Sequence, residues 1–327
     1  MNILITGGAG FIGSHLAESW LKDGHSVSVI DDLSTGSLAN LKHLPHQDRI
    51  EFVKGNVITS RALPGLIRKA DVIYHLAAAV GVELVVHDPI RTIETNVSGT
   101  SRILKLASKY GGRRLFVAST SEVYGKSTNV PFHETDDLII GPSTHSRWSY
   151  ACSKLIDEFL LMAYHRSKGL PGTVTRFFNT VGPRQTGRYG MVIPRFVSAA
   201  IQGKPLRVYG TGNQTRCFCH VSDTVRALRL LADCEASFGQ ILNIGSTDRI
   251  TIRQLAETII AQLGSSSKIE AVSYDEAYEA GFEDMLHRAP DCAKIGRICG
   301  WKAELPLDRI ISDVAAHFRA SQNSLSF

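Results

Sequence analysis

Apolar and polar positions along the chain change period in a regular way. Asn2–Thr6 is a short apolar run, and Phe11–Lys22 repeats its apolar residues at the three-to-four spacing of a helix. Ser26–Ile30 alternates and predicts a strand ending at Asp31. Ile50–Val53 and Val72–His75 predict two more strands. Ile90–Tyr110 carries a long helical pattern, Arg114–Ala118 a strand, Trp148–Arg166 a second long helix, and Thr173–Arg176 a closing strand. Strands alternating with helices imply right-handed crossovers, hence an α/β fold with a Rossmann-type, doubly wound parallel sheet.

After Arg176 the texture changes. Gly182-Pro183-Arg184, Gly187, Gly190, Pro194, Gly203, Pro205, Gly210 and Gly212 predict a loop-rich, smaller region that covers a substrate. Helical patterns return at Ser222–Leu231, Thr251–Leu263 and Asp308–Phe318. The expected organisation is a first domain over residues 1–176, to which residues 215–245 return, and a substrate region over 177–327.

Composition narrows the function classes. At 327 residues and 43% hydrophobic, the chain can bury a large core. Charged residues are 20% of the chain and no block of like charge marks a nucleic-acid arm. A net charge of +5 fits an anionic small molecule without requiring one. None of the 6 cysteines forms a zinc-type CxxC pair, so the thiols are expected reduced and no metal is expected. No apolar run approaches the ~20 residues of a membrane span, and the first residues read as a strand entering a turn rather than a signal peptide. The expectation is a cytoplasmic protein with neither membrane nor nucleic acid as partner.

Candidate chemistry begins in the first turn. Gly7, Gly10 and Gly13 follow a strand and open a helix. Residues without Cβ let the amides around Phe11 and Ile12 approach a pyrophosphate, and the helix N-terminus adds partial positive charge. Asp31, at the end of the next strand, can hydrogen-bond the adenosine ribose. It would repel a 2′-phosphate, which favours NAD over NADP.

A second constellation lies further on. Tyr150 and Lys154 are four apart on one helix and share a face. An ammonium beside a phenol lowers its pKa and makes Tyr150 a usable base, although this spacing alone is common. The strand at Arg114–Ala118 runs into Ser119, Thr120, Ser121 and Glu122. Strand carboxyl ends face the ligand crevice in such sheets, and three hydroxyls with a carboxylate there suit a sugar better than a core.

With these motifs together, the chain resembles the extended short-chain dehydrogenases/reductases of the nucleotide-sugar epimerase/dehydratase family. The likeness runs through TGGAGFIGSHL, Leu76-Ala77-Ala78, Asn96 to Thr100, STSEVYG and YACSK. It continues in Arg176 to Arg184, Val208-Tyr209-Gly210, Arg216 to Asp223, and Leu242 to Gly245. The resemblance implies that Thr120 and Tyr150 hold the hydroxyl to be oxidised, and that Lys154 grips the nicotinamide ribose and tunes Tyr150. It sets Asn56, Val57, Leu76, Ala77, Ala78, Asn96, Ser119 and Phe177 along the cofactor, and Ser121, Asn179, Arg195, Tyr209, Arg216 and Arg288 on the side of a nucleoside-diphosphate sugar, expected to be UDP-linked. Asn56 stands where the family usually has Asp, and can still bond adenine. A homodimer through the two long helices is also implied.

Members of this family oxidise the sugar at C4. Epimerases then return the hydride to the other face, 4,6-dehydratases lose water, and a C6 carboxylate allows loss of carbon dioxide from a β-keto acid. Thr120-Ser121-Glu122 resembles the glucuronate decarboxylases, whereas dehydratases of thymidine-linked glucose carry Asp at the place of Ser121. Asp137 to Pro142, Arg147-Trp148-x-Tyr150 and Gly281 to Pro290 resemble the bacterial UDP-glucuronate decarboxylases of lipid A modification, in which the arginine matching Arg288 lies near the substrate carboxylate. Decarboxylase is the leading expectation, with 4-epimerase as the alternative and 4,6-dehydratase behind it. A non-catalytic NAD-binding sensor remains as a different class, and intact Thr120, Tyr150 and Lys154 weigh against it.

The Asp31 reading gives a binding prediction. Calorimetry on the purified protein should find NAD⁺ bound more tightly than NADP⁺, and the reverse order removes the ribose role of Asp31.

Overall fold

The computed structural model describes residues 1–79, 88–187, 191–273 and 285–323. Gly190 and residues 281–284 of the stretches read above lie outside them.

The main elements of the first half are β1 (Asn2–Thr6), α1 (Phe11–Lys22), β2 (Ser26–Asp31), β3 (Ile50–Lys54), α2 (Leu63–Lys69), β4 (Val72–His75), α3 (Pro89–Lys109), β5 (Arg114–Thr120), α4 (Trp148–Lys168) and β6 (Gly172–Phe177). Four short strands follow, β7 (Thr180–Val181), β8 (Leu206–Tyr209), β9 (Thr215–Cys217) and β10 (Cys219–His220), with helices α5 (Val192–Ile201) and α6 (Val221–Ala232) among them. The chain then forms β11 (Ile241–Ile244), β12 (Arg249–Thr251), α7 (Ile252–Leu263), β13 (Ile269–Val272), β14 (His287–Arg288), α8 (Ala293–Cys299) and α9 (Leu307–Asn323).

Among the described residues, seven strands form one sheet in the order β11-β6-β5-β4-β1-β2-β3. All its pairings are parallel, with Ile3 opposite Val27 on one side and Val72 on the other. Residues Ile3–Thr6 of β1 are buried on both faces, the reason it reads as a continuous apolar run. Neighbouring connections leave β1 in opposite directions, toward β2 and toward β4, so a crevice opens between the carboxyl ends of β1 and β4.

Helix α1 shows the local logic. Gly10 is its extended N-cap, and Leu16, Ala17, Trp20 and Leu21 turn one buried stripe to the sheet. Gly24, at φ +79°, ends it. Each fully buried Leu or Ile of this kind contributes about 1.5–3 kcal/mol.

Beyond Arg176 the loop-rich expectation needs correcting. Val192–Ile201 is a helix with Ile193, Phe196, Val197 and Ala200 buried. Pro194 obscured it in the sequence, yet it sits in the first turn, where no intrahelical N–H bond is lost. This helix joins Leu206, Val208, Leu255, Ile259, Ile310 and Val314 in a third core, apart from the two that flank the sheet. The chain also returns to the first half: β11 extends the sheet beside β6, and α6 shares a core with α1.

Cys217 and Cys219 fall on two separate strands, both buried, and burial raises both thiols to about 12. Among the described residues, no group of three or more His, Cys, Asp or Glu is arranged to hold a metal, and no helix is long and apolar enough to cross a membrane.

One buried ion pair fastens α4 to the sheet. Arg176 donates Nε–H and Nη2–H to the two oxygens of Glu158, at 2.9 and 2.7 Å, and both side chains are buried. Glu158→Ala should destabilise the fold by about 3–5 kcal/mol, because it strands the guanidinium without its partner. Denaturant unfolding checks this, and a loss under 1 kcal/mol (roughly the scale of an exposed pair) contradicts it.

Candidate active site

The crevice at the carboxyl ends of β1 and β4 has a volume of about 960 Å³ and continues to β9, β14 and α5. One end is built by the glycine turn. A Cβ on Gly13 would stand 2.3 Å from the Gly7 carbonyl oxygen, and one on Gly7 2.7 Å from the Ala77 nitrogen. Only glycine lets α1 start this close to β1 and lets the 76–79 segment cross the turn. Gly10, Phe11 and Ile12 line the crevice above them.

Asp31 sits beside this turn, with Oδ2 accepting from the Ala9 amide (3.0 Å) and Oδ1 from the Leu33 amide (2.8 Å). Burial raises its pKa, against the pull of those amides. Asp32 lines the same end, so two carboxylates face any group bound there. Asn56 and Val57 also line it, but the Asn56 amide is committed, donating to Asp32 Oδ2 and accepting from the Ile58 N–H. A pocket with a glycine-walled helix N-terminus and carboxylates beside it has the chemistry to hold a dinucleotide.

At the middle of the crevice, Thr120, Ser121, Glu122, Tyr150 and Lys154 come together, with Ser119 and Phe177 on the wall. Thr120 ends β5 and caps a short turn by accepting from the Glu122 amide. Its hydroxyl is also hydrogen-bonded to the Tyr150 phenol.

The expectation that Lys154 lowers the Tyr150 pKa is corrected. Burial raises it well above the phenol range, and the charges of Glu122 and then Asp157 raise it further. The Lys154 ammonium is itself bound 2.7 Å from Asp157 Oδ2. Asp157 went unnoticed in the sequence, although its place three residues after Lys154 was a usable signal.

Asn96 is the one expected cofactor residue that lies off the crevice wall. It accepts from the Ala79 amide (2.8 Å) and donates to Ser153 Oγ (3.0 Å), which fixes the 76–79 segment to α4. Leu76, Ala77 and Ala78 of that segment do line the crevice.

The far end is built by strand pairing. β14 runs parallel to β9 with Arg288 opposite Arg216, so two guanidinium side chains emerge in register. Arg288 Nη1 stands 3.6 Å from Glu122 Oε1, which carries it to the Tyr150 end. Asn179 lines this end while donating to the Cys217 carbonyl (2.9 Å). Arg195 Nη1 donates to the Tyr209 hydroxyl (2.6 Å) and its guanidinium lies 4.3 Å from the ring centre, making a flat platform. Arg147, from the Arg147-Trp148-x-Tyr150 stretch, also lines the crevice, as does Gln214, which carried no motif.

This arrangement can deprotonate a hydroxyl at Tyr150 and hold an anionic diphosphate between arginines. The family model described as GDP-mannose 4,6 dehydratase matches residues 4–314. The chain belongs to this family. A UDP-N-acetyl-alpha-D-glucosaminuronate decarboxylase of Bacillus cytotoxicus is 42% identical over 98% of each chain. Among solved structures, the UDP-N-acetylglucosamine 4-epimerase of Methanobrevibacter ruminantium matches with TM-score 0.88 and 27% identity over 98% of both chains. The dTDP-glucose 4,6-dehydratase of Bacillus anthracis, solved with NAD, matches with TM-score 0.86 and 29% identity over 99% of this chain and 98% of the other. The chain is thus an extended short-chain dehydrogenase/reductase and an enzyme of nucleotide sugars, in a family of decarboxylases, epimerases and dehydratases.

Proposed function

We propose that the protein is an NAD-dependent decarboxylase of a UDP-linked uronate, glucuronate or its 2-acetamido analogue. The observation that carries this reading is the Arg288 guanidinium beside Glu122 at the Tyr150 end of the crevice. A C6 carboxylate would find a forked, charge-assisted partner there, whereas a neutral sugar would leave Arg288 to Glu122 and the diphosphate. The 42% identical decarboxylase supports the same choice.

The glycine turn, Asp31 and Lys154 would hold NAD⁺, which would accept the hydride from C4 and give it back to the ketone once carbon dioxide has left. Thr120 positions the C4 hydroxyl and Tyr150 takes its proton as C4 becomes a ketone. The carboxylate at C6 is then β to that ketone. The C5–C6 bond breaks, carbon dioxide leaves, and the bonding pair forms an enolate whose oxygen the Thr120 and Tyr150 hydroxyls stabilise. Glu122 and Arg288 frame the departing carboxylate, and C5 takes a proton to complete the step. The Arg195–Tyr209 platform suits stacking of the nucleobase, and Arg216 the diphosphate. The division of labour follows the cores: the sheet half holds the dinucleotide, and the third core with β9 and β14 holds the nucleotide sugar.

A panel of UDP-, GDP-, CDP- and dTDP-sugars including both uronates, read by mass spectrometry, tests the reading. Loss of carbon dioxide supports it. Loss of water, or a product of unchanged mass and altered retention, replaces it with a dehydratase or a 4-epimerase. On the true substrate Tyr150→Phe should cost ~10²-fold or more in rate. Glu122→Gln should still build up reduced-nicotinamide absorbance and then turn over poorly. Unchanged turnover of Tyr150→Phe overturns the mechanism.

Assembly gives a separate prediction. Ile90 and Ile93 on α3 are 70% and 42% exposed, and Ile156 and Phe159 on α4 are 44% and 66% exposed. An apolar stripe of this kind on two adjacent helices suits a homodimer. Light scattering should give twice the chain mass, and Phe159→Asp should halve it.

A further inference from the structure

Behind Tyr150 lies a second buried polar assembly that the reaction sequence above does not use. Tyr150, Lys154 and Asp157 are successive residues of one face of α4, at spacings of four and three. Lys154 and Asp157 are both buried, their side chains 3% and 0% exposed, and only the lysine reaches the crevice. Burial raises the Asp157 pKa, against the pull of the Lys154 ammonium and of a hydrogen bond from Thr100.

The assembly continues on the far side. Thr6 Oγ1 accepts from the Ala77 amide (3.2 Å) and is hydrogen-bonded to His75 Nδ1 (2.8 Å), and His75 Nε2 is hydrogen-bonded to Thr100 Oγ1 (3.1 Å). Burial and the nearby Lys154 push His75 down to about 3, so the ring carries no charge near neutral pH.

We propose that Asp157 is a positioning residue that holds the Lys154 ammonium behind Tyr150 and offsets its charge. This rests on the reading of Tyr150 as the base. Tyr150 must take a proton when the sugar is oxidised and give the same proton back when a ketone is reduced. An uncompensated ammonium favours the phenolate and opposes the return, whereas pairing with Asp157 moderates that pull and still leaves the phenol able to ionise. That agrees with the raised Tyr150 pKa, to which Asp157 itself contributes.

Other charged groups face the assembly. Glu122 comes from the turn after β5 and is paired with Arg288 of β14. Arg147 precedes α4 and lines the crevice. Glu158 follows Asp157, but its charge is taken by Arg176 of β6. None of these is removed by a change at Asp157.

The test is the pH at which the Tyr150 phenolate absorbance appears in the unliganded protein, obtained by subtracting a Tyr150→Phe spectrum. Asp157→Asn should move it down by about one pH unit, the effect of losing one nearby negative charge. Lys154→Met should move it up. Asp157→Asn with Lys154→Met should return it close to the wild-type value. Removing both members of a buried pair is tolerated better than removing one, so the double variant decides the matter even where Asp157→Asn does not fold. A wild-type titration in Asp157→Asn, or a double variant that titrates as high as Lys154→Met, overturns the proposal. Loss of stability without any spectral shift assigns Asp157 a merely structural part and overturns it too. The titration needs no substrate, so it stays separate from the Tyr150→Phe rate test, whose failure would remove the base itself.

Discussion

The site depends on the buried pairing of Arg176 with Glu158. Glu158 belongs to α4, the helix of Tyr150, Lys154 and Asp157, and it also accepts from Ser119 at the end of β5. Arg176 belongs to β6 and packs 4.8 Å from the centre of the Tyr124 ring. The Tyr124 hydroxyl donates to Asn243 Oδ1 on β11, and Asn243 Nδ2 donates to the carbonyls of Phe132 and Asp291. One guanidinium thus ties together α4, the ends of β5, β6 and β11, and the loops that reach β14. In a buried setting this arrangement is stable only when every lone pair and proton is matched, so it tolerates little displacement. The distance between Tyr150 and the Thr120–Glu122 turn is held by that rigidity.

Charge at the site is organised in pairs that can be opened by a ligand. Lys154 is matched by Asp157, and Arg288 by Glu122. The first pair is sealed from solvent and the second is partly open to the crevice. A ligand carboxylate can therefore compete for Arg288, whereas nothing that enters the crevice reaches Asp157. The difference in burial separates a pair suited to recognition from one suited to setting proton affinity.

The sequence by itself determined the sheet and its helices closely. β1, α1 and β4 occupy the expected residues, because apolar periodicity records which face each element buries. It also pointed to the glycine turn, Asp31, Thr120, Tyr150 and Lys154 as candidates that line the crevice, since each lies within one turn or one helix face and their spacing is local. Helix α5 was hidden because proline and flanking glycines signal breakage whether or not they fall in a first turn. Asn96 was assigned to the crevice wall by likeness, and its side chain turns instead to Ala79 and Ser153. What only the tertiary structure decided is which charges meet. Arg216 beside Arg288, Arg288 beside Glu122, and Arg176 against Glu158 join residues far apart in the chain through strand register and helix docking. The Lys154–Asp157 contact is local in sequence, yet its effect on Tyr150 depends on burial, which sets how strongly one charge is felt by another. Spacing can bring two groups to one face, but the dielectric around them belongs to the folded whole.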